Sequence, residues 1–307
     1  MASLGGVLPV ISTPFTDDDR IDVPTLNREI DWLLGAGADG VTVAMVSEIL
    51  RLDPAERMEL GELVCAAAGE HAVVLSIGAE STAQAHRLAD HASRVGATAM
   101  MANPPLATSP DAEALLDHFR RLADAGGSTP LIIQDASGYV GTPIPLPVLT
   151  ALLEEYGPTK IQFKPEAEPL GQRLTALREA TGGVARVFEG SGGRALVESH
   201  TRGVVGTMPG ADLIFALVTL WRALEAGRLD DAFSVQEAVV PLLGFVSSLD
   251  SYIALEKHLL RAQGVFVNEH RRGPVDFALD GVTREQVDLL FARLQERTTA
   301  VAGTLAR

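Results

Sequence analysis

The chain has 307 residues, 47% of them hydrophobic, with 29 glycines and a formal charge of −15 from 25 basic and 40 acidic residues. This composition supports a large buried core and excludes a disordered chain. The negative balance argues against a nucleic-acid partner, whose phosphates would be repelled.

No apolar stretch reaches the roughly 18 residues of a membrane span, and the opening MASLGGVLPVISTPF lacks the basic start of a secretory signal. One cysteine, Cys65 in the run LVCAAAG, allows neither an internal disulfide nor a cysteine metal cluster. Cys65 reads as a small core residue, and the chain as cytoplasmic.

In chain order, VLPVIST (7–13) reads as a first strand and TLNREIDWLLGAGA (25–38) as a helix stopped by Gly35 and Gly37. GVTVAM (40–45) is a second strand. The helix DPAERMELGELVCAAAG (53–69) follows, with Asp53 as N-cap, Pro54 as first helical residue and Gly69 as stop. Then come the strands AVVLSIG (72–78) and TAMMANP (98–104), and the helix DAEALLDHFRRLADAG (111–126), opened by Ser109, Pro110 and Asp111 and ended by Gly126. The strands PLIIQD (130–135), KIQFKP (160–165), ARVFEG (185–190) and GVVGTMP (203–209) complete the series.

Apolar runs of this length without alternation suit buried parallel strands. Their number, eight, and their alternation with helices predict a (β/α)8 barrel, an α/β fold. The interval between 190 and 203 leaves room only for a short helix. Beyond residue 210 the strands stop. The segment 212–227 closes the barrel, and 229–247, 251–264 and 284–303 read as helices. The expected organisation is a barrel over 1–227 and a three-helix extension over 228–307 packed on it.

In such a barrel the chemistry gathers at the C-terminal ends of the strands. The polar residues there are Ser12, Thr13, Ser47, Glu48, Asn103, Gln134, Asp135, Lys164, Glu166, Glu189 and Ser191. Lys164 stands out because lysine is scarce: Lys160 and Lys257 are the only others. Burial disfavours the charged form of an amine, and a neutral amine attacks a ketone to form an imine that withdraws electrons from the next carbon. The alternative is a structural ion pair with Glu166 or Glu189.

Several segments together resemble the dihydrodipicolinate synthase and N-acetylneuraminate lyase superfamily of Schiff-base lyases. They are TPFTDDDRID (13–22), MVSEILRLDPAER (45–57), NPPL (103–106), FKPE (163–166) and GVVGTMPG (203–210). The resemblance implies the barrel with its C-terminal helices, a homotetramer or homodimer, a small 2-keto acid as the molecule acted on, and Lys164 as imine former. No other cofactor is implied.

The departures from the family pattern are informative. Its proton-relaying tyrosine after strand five is replaced within Gln134–Asp135–Ala136–Ser137. Its second tyrosine falls near Leu106, its paired threonines become Met45 and Val46, and its aldehyde-binding arginine aligns with Tyr139. The combination Ser47–Glu48, Gln134–Asp135–Ala136, Lys164–Pro165–Glu166 and Glu189–Gly190 is similar to the 2-keto-3-deoxy-L-arabinonate dehydratase-like subgroup, as is IALEKHLLRAQGVFVNEHRRGP (253–274).

That likeness implies a dehydration in which Lys164 forms the imine, the C3 proton is removed and the C4 hydroxyl leaves, giving 2-oxoglutarate semialdehyde. Glu166 is the candidate proton shuttle, two residues on and on the same side of an extended strand; its other possible role is to hold Lys164 as an ion pair. Ser12, Thr13 and Ser47 are candidates for the substrate's carboxylate or hydroxyls, or for helix caps. Gln134 either serves the imine region or satisfies buried backbone, Glu189 and Ser191 face sugar hydroxyls, and Met208 walls the site. Glu48 is expected to brace the loop after strand two. No metal site is expected, since His71, His86, His91 and His118 fall in helices and loops and read as surface groups. An aldolase releasing pyruvate and a silent 2-keto-acid-binding protein are the competing readings.

Overall fold

The computed structural model describes residues 4–138 and 140–305. Among them are eight strands: β1 (Gly6–Val7), β2 (Gly40–Val43), β3 (Ala72–Ser76), β4 (Ala99–Ala102), β5 (Leu131–Asp135), β6 (Ile161–Pro165), β7 (Phe188–Glu189) and β8 (Gly206–Thr207). All pair in parallel, β2 to β6 in one run and β7, β8 and β1 in another. Single bridges between Val10 and Thr42 and between Phe163 and Val187 join the two runs into a ring. The fold is the (β/α)8 barrel expected from the sequence. β1, β7 and β8 are shorter than their apolar runs, because ladder pairing ends after two residues and continues only as isolated bridges.

The strand faces divide the core in two. Leu8, Val10, Val74, Ala99, Met101, Ile132, Phe188 and Met208 fill the barrel interior. Their neighbours Val7, Val41, Val73, Leu75, Met100, Leu131, Ile133, Ile161 and Phe163 pack outward against the helices. Both faces being apolar explains the unbroken hydrophobic runs. The alternation also aims every second residue of β6 inward, so Lys164 points into the barrel while Ile161 and Phe163 point away.

The barrel helices are α1 (Val23–Gly35), α2 (Pro54–Ala68), α3 (Thr82–Arg94), α4 (Ala112–Ala125), α5 (Leu146–Tyr156), α6 (Leu170–Ala180), α7 (Leu196–Thr201) and α8 (Ile214–Glu225). Asp53 caps α2 by accepting from the amides of Ala55 and Glu56, and Asp111 caps α4. The helix between β7 and β8 is short, as its interval required. Two histidines depart from expectation. His91 and His118 are buried between helices, where Met58 O and Thr82 Oγ1 satisfy one ring nitrogen each. Cys65 packs half-buried at the edge of the core, its thiol pushed up to about 11 by burial.

Three helices follow: α9 (Leu229–Leu243), α10 (Leu249–Ala262) and α11 (Gly281–Leu305). α9 packs on α8 and α11. Val235 and Val239 of α9, Leu255 and Leu259 of α10 and Val287 and Phe291 of α11 belong to the same core as the barrel's outer layer. α10 also packs on the 3-10 turn Met45–Ser47 after β2, which places it at the strands' C-terminal end. Among the described residues no helix is long and apolar enough to cross a membrane.

Candidate active site

A cavity of about 260 Å³ opens at that end of the barrel. Lys164, Glu166, Gln134, Ser191 and Met208 line it, with Met45 and Val46 from the turn after β2 and Tyr252 from α10. Gln134 and Lys164 are register partners on β5 and β6, so their side chains enter side by side. Glu166, one residue beyond β6 and in phase with its inward face, closes the group. Its Oε1 lies 2.7 Å from Lys164 Nζ and its Oε2 accepts from Gln134 Nε2 at 2.6 Å. The lysine and glutamate side chains are 3% and 6% exposed. An amide and an ammonium thus hold one carboxylate in a fixed plane, aimed at the amine that would carry an imine.

Gly190 makes this possible. A Cβ there would stand 2.7 Å from Glu166 Cγ and 2.8 Å from its Oε1, well inside van der Waals contact, so the glycine gives the carboxylate its space.

The remaining strand-end residues sit behind the cavity wall. Glu189 is fully shielded; its Oε1 accepts from Ser191 N at 2.6 Å and its Oε2 from Thr207 Oγ1 at 2.8 Å. Burial raises its carboxyl above the usual range, against these hydrogen bonds and the charge of Lys164. It braces β7 against β8 and does not line the cavity. Ser191 lines it, while its Oγ accepts from Ala195 N.

Ser12, Thr13 and Ser47 are fully buried and are not among the lining residues. Thr13 Oγ1 donates to Ser47 O and Ser47 Oγ to Ile11 O, both at 2.6 Å. These two hydroxyls stitch the ends of β1 and β2 together, since buried carbonyls need donors, and the structure moves all three residues from the cavity's surface to its backing. Asp135 organises the loop after β5 by accepting from Ser137 and from Ile144 N. Asn103 donates to Pro104 O. Leu106 lies in the loop after β4, its amide held by Glu80. Tyr139 falls outside the described residues.

Glu48 braces its loop as expected, and does so through Lys257 of α10 and the backbone amide of Arg272. All three lysines therefore have distinct placements: Lys164 in the cavity, Lys257 in a buried pair with Glu48, and Lys160 on the carbonyls of Gly127 and Thr129. Among the described residues no group of three or more His, Cys, Asp or Glu is arranged to hold a metal ion.

Sequence reasoning missed the contribution of the segment 243–252. Leu243, Val246, Ser247 and Leu249 roof the cavity and Tyr252 reaches into it. A signal was present: tyrosine is as scarce as lysine, at three residues, and Tyr252 lies four residues before Glu256 on one helical face.

Comparison with known proteins identifies the family and the fold. The profile of the dihydrodipicolinate synthetase family matches residues 3–290. The L-2-keto-3-deoxyarabonate dehydratase of Azospirillum brasilense is 27% identical over 277 residues, 88% of each chain. A 4-hydroxy-tetrahydrodipicolinate synthase of Acidothermus cellulolyticus is 27% identical over 318 residues, covering 99% of this chain and 94% of its own. Among solved structures, dihydrodipicolinate synthase from Rhodopseudomonas palustris superposes with a TM-score of 0.85 at 25% identity, over 94% of this chain and 97% of that one.

Proposed function

Because the chain belongs to the dihydrodipicolinate synthetase family, we propose that it is a Schiff-base lyase acting on a 2-keto-3-deoxy sugar acid, and that it dehydrates 2-keto-3-deoxy-L-arabinonate or a similar acid. The observation that carries this reading is the buried Lys164–Glu166–Gln134 group at the cavity floor. The likeness to a keto-deoxy acid dehydratase over most of both chains supports the substrate class. Met45 and Val46, in place of the paired threonines of the synthase pattern, weigh against the synthase reaction.

The proposed steps follow from these contacts. Glu166, 2.7 Å from the ammonium of Lys164, takes its proton and frees the amine, which adds to the C2 ketone. Loss of water from that adduct leaves the iminium. Glu166, freed of its proton to that departing hydroxyl, then faces the acidified C3 and removes a proton from it. The enamine electrons expel the C4 hydroxyl, which takes up a proton and leaves as water. Loss of a proton at C5, tautomerisation and hydrolysis release 2-oxoglutarate semialdehyde and return Lys164. Gln134 keeps Glu166 oriented throughout. Oligomerisation as a homodimer or homotetramer belongs to the same reading.

The test is direct. Purified protein incubated with 2-keto-3-deoxy-L-arabinonate should yield a product lighter by one water. Release of pyruvate and a two-carbon aldehyde would establish an aldolase instead. No turnover together with no borohydride-trapped adduct would establish a silent binding protein.

A further inference from the structure

The dehydration has two proton tasks, and Glu166 accounts for one. Removing the C3 proton needs a base. Expelling the C4 hydroxyl as water needs a donor, because hydroxide is a poor leaving group. The cavity holds a group suited to the second task. Tyr252 enters from α10 and lines the same space as Lys164 and Glu166. Two close approaches locate its hydroxyl: Cβ atoms placed on Gly192 and Gly210 would stand 3.7 Å and 2.4 Å from Tyr252 Oη. The first of these glycines lies two residues beyond Gly190, against which Glu166 packs. Phenol and carboxylate thus both pack against the segment 190–192, and burial first, then the charges of Asp212, Glu256 and Glu166, raises the phenol well above its usual range, holding its proton in place.

The hydroxyl is fixed for donation. Gly210 N donates to Oη at 3.0 Å, occupying an acceptor position and leaving the O–H to seek a partner elsewhere. Behind it stand two acids. The space at Gly210 that lies 2.4 Å from Oη is also 2.8 Å from Glu256 Oε1 and 3.0 Å from Asp212 Oδ1. Both carboxyls are buried, and burial favours their protonated forms: Asp212 is pushed up to about 7 and Glu256 well above its usual range. Glu256 is anchored by the amide of Ala211 at 2.8 Å. A phenol backed by protonated carboxyls is a donor with a reserve, and nothing in the imine chemistry of Lys164 and Glu166 requires one there.

We propose that Tyr252 is a catalytic residue of this site, donating its O–H to the departing C4 hydroxyl, with Asp212 and Glu256 restoring its proton. The assignment rests on the dehydratase reading above. In the step, the enamine pair forms the C3–C4 double bond, the C4–O bond breaks, and the leaving oxygen takes the phenol's proton to depart as water. The phenolate regains a proton from an adjoining carboxyl. The proton gained by Glu166 and the one lost from the tyrosine side are balanced when C5 loses a proton and C3 gains one in the tautomerisation.

The experiment compares wild-type protein with Tyr252→Phe in three assays. These are borohydride trapping of pyruvate at Lys164, exchange of pyruvate's C3 protons in deuterated water, and water loss from 2-keto-3-deoxy-L-arabinonate. The expected result is trapping and exchange within about threefold of wild type, and water loss slower by a factor of about 10² or more. Unchanged water loss in the variant overturns the role of Tyr252 while leaving the dehydratase reading intact. Equal loss of all three activities in a folded variant shows that the phenol serves imine formation, which also overturns it. A wild-type protein that traps pyruvate but loses no water from the sugar acid overturns the dehydratase reading and this one with it. If Tyr252→Phe does not fold, Glu256→Gln decides: it keeps an acceptor for Ala211 N but removes the reserve proton. It should slow water loss and spare exchange; equal rates in both would overturn the relay.

Discussion

Lys257 Nζ lies 2.5 Å from Glu48 Oε1, and neither side chain meets solvent. The ammonium also donates to Thr13 O and His270 O, so one buried cation ties the ends of β1 and β2 to α10 and to the segment after it. Glu48 adopts a left-handed backbone, with φ of 56°, to reach this position. Removing Lys257 leaves the buried Glu48 Oε1 without its cation, with only Arg51 and the amide of Arg272 on the other oxygen. Lys257→Met should therefore destabilise the fold by about 3–5 kcal/mol, and Lys257→Met with Glu48→Leu by clearly less. Urea unfolding measures these beside Glu48→Leu alone; a double loss equal to the sum of the two single losses would mean that the two charges are not coupled.

Glu166→Gln keeps the shape of the Lys164–Glu166–Gln134 group and removes the titrating carboxyl. Turnover should fall by a factor on the order of 10² or more, while borohydride still adds mass at Lys164, more slowly, because imine formation also loses its proton carrier. Adducts at Lys160 or Lys257, combined with an active Lys164→Ala, would remove Lys164 from the mechanism. Imine formation abolished by Glu166→Gln would make the glutamate a servant of the lysine alone.

Gly190→Ala should damage the site more than the fold. The added methyl falls 2.7 Å from Glu166 Cγ and must push the carboxylate off Lys164. Overpacking of this kind costs about 1–3 kcal/mol, leaving folded protein at room temperature. Turnover should drop at least tenfold, as misplacement of a reacting group does. A melting curve beside kcat separates the effects, and unchanged kcat would show that Glu166 has room to relax.

Stability should decline from mildly acid to mildly alkaline pH, in part through Glu29. This fully buried carboxyl accepts from Ser12 N at 2.8 Å and faces Glu256 and Lys257. Burial outweighs the amide and the lysine and raises it from 4.5 to about 8. Between those values the unfolded chain holds fewer protons than the fold at this group, so stability falls as pH rises across the window and levels off above it. Asp212 and Glu256 add slopes of the same sign. Glu29→Gln should flatten part of the decline, seen as a smaller drop in urea midpoint between pH 5 and pH 8 than in wild type, whereas a parallel drop would place the cause elsewhere.

Light scattering at working concentration should give the mass of a dimer or tetramer. A monomer mass would remove the oligomer from the proposed function.

The sequence alone determined the barrel and the lysine. Eight short, mostly apolar runs bounded by turn residues read as strands covered on both faces, and the helices between them fixed parallel order, because parallel strands need crossovers. Period two then placed Lys164 opposite the outward-facing Ile161 and Phe163, at the strand end where barrels do chemistry. Glu166 followed from the same period.

What the linear pattern could not resolve was which polar strand ends face the cavity and which face its backing. Ser12, Thr13, Ser47 and Glu189 have the composition of ligand-binding groups, yet Thr13, Ser47 and Glu189 pair with carbonyls, amides and hydroxyls at neighbouring strand ends and the Ser12 amide pairs with Glu29 of α1, and those neighbours exist only once the ring closes. Nor could spacing bring Tyr252 to Gly210 or Lys257 to Glu48. These pairs join the last helices to the strand ends across 42 and 209 residues. Such contacts are set by how α10 packs over the barrel mouth, a property of the assembled core and not of any segment.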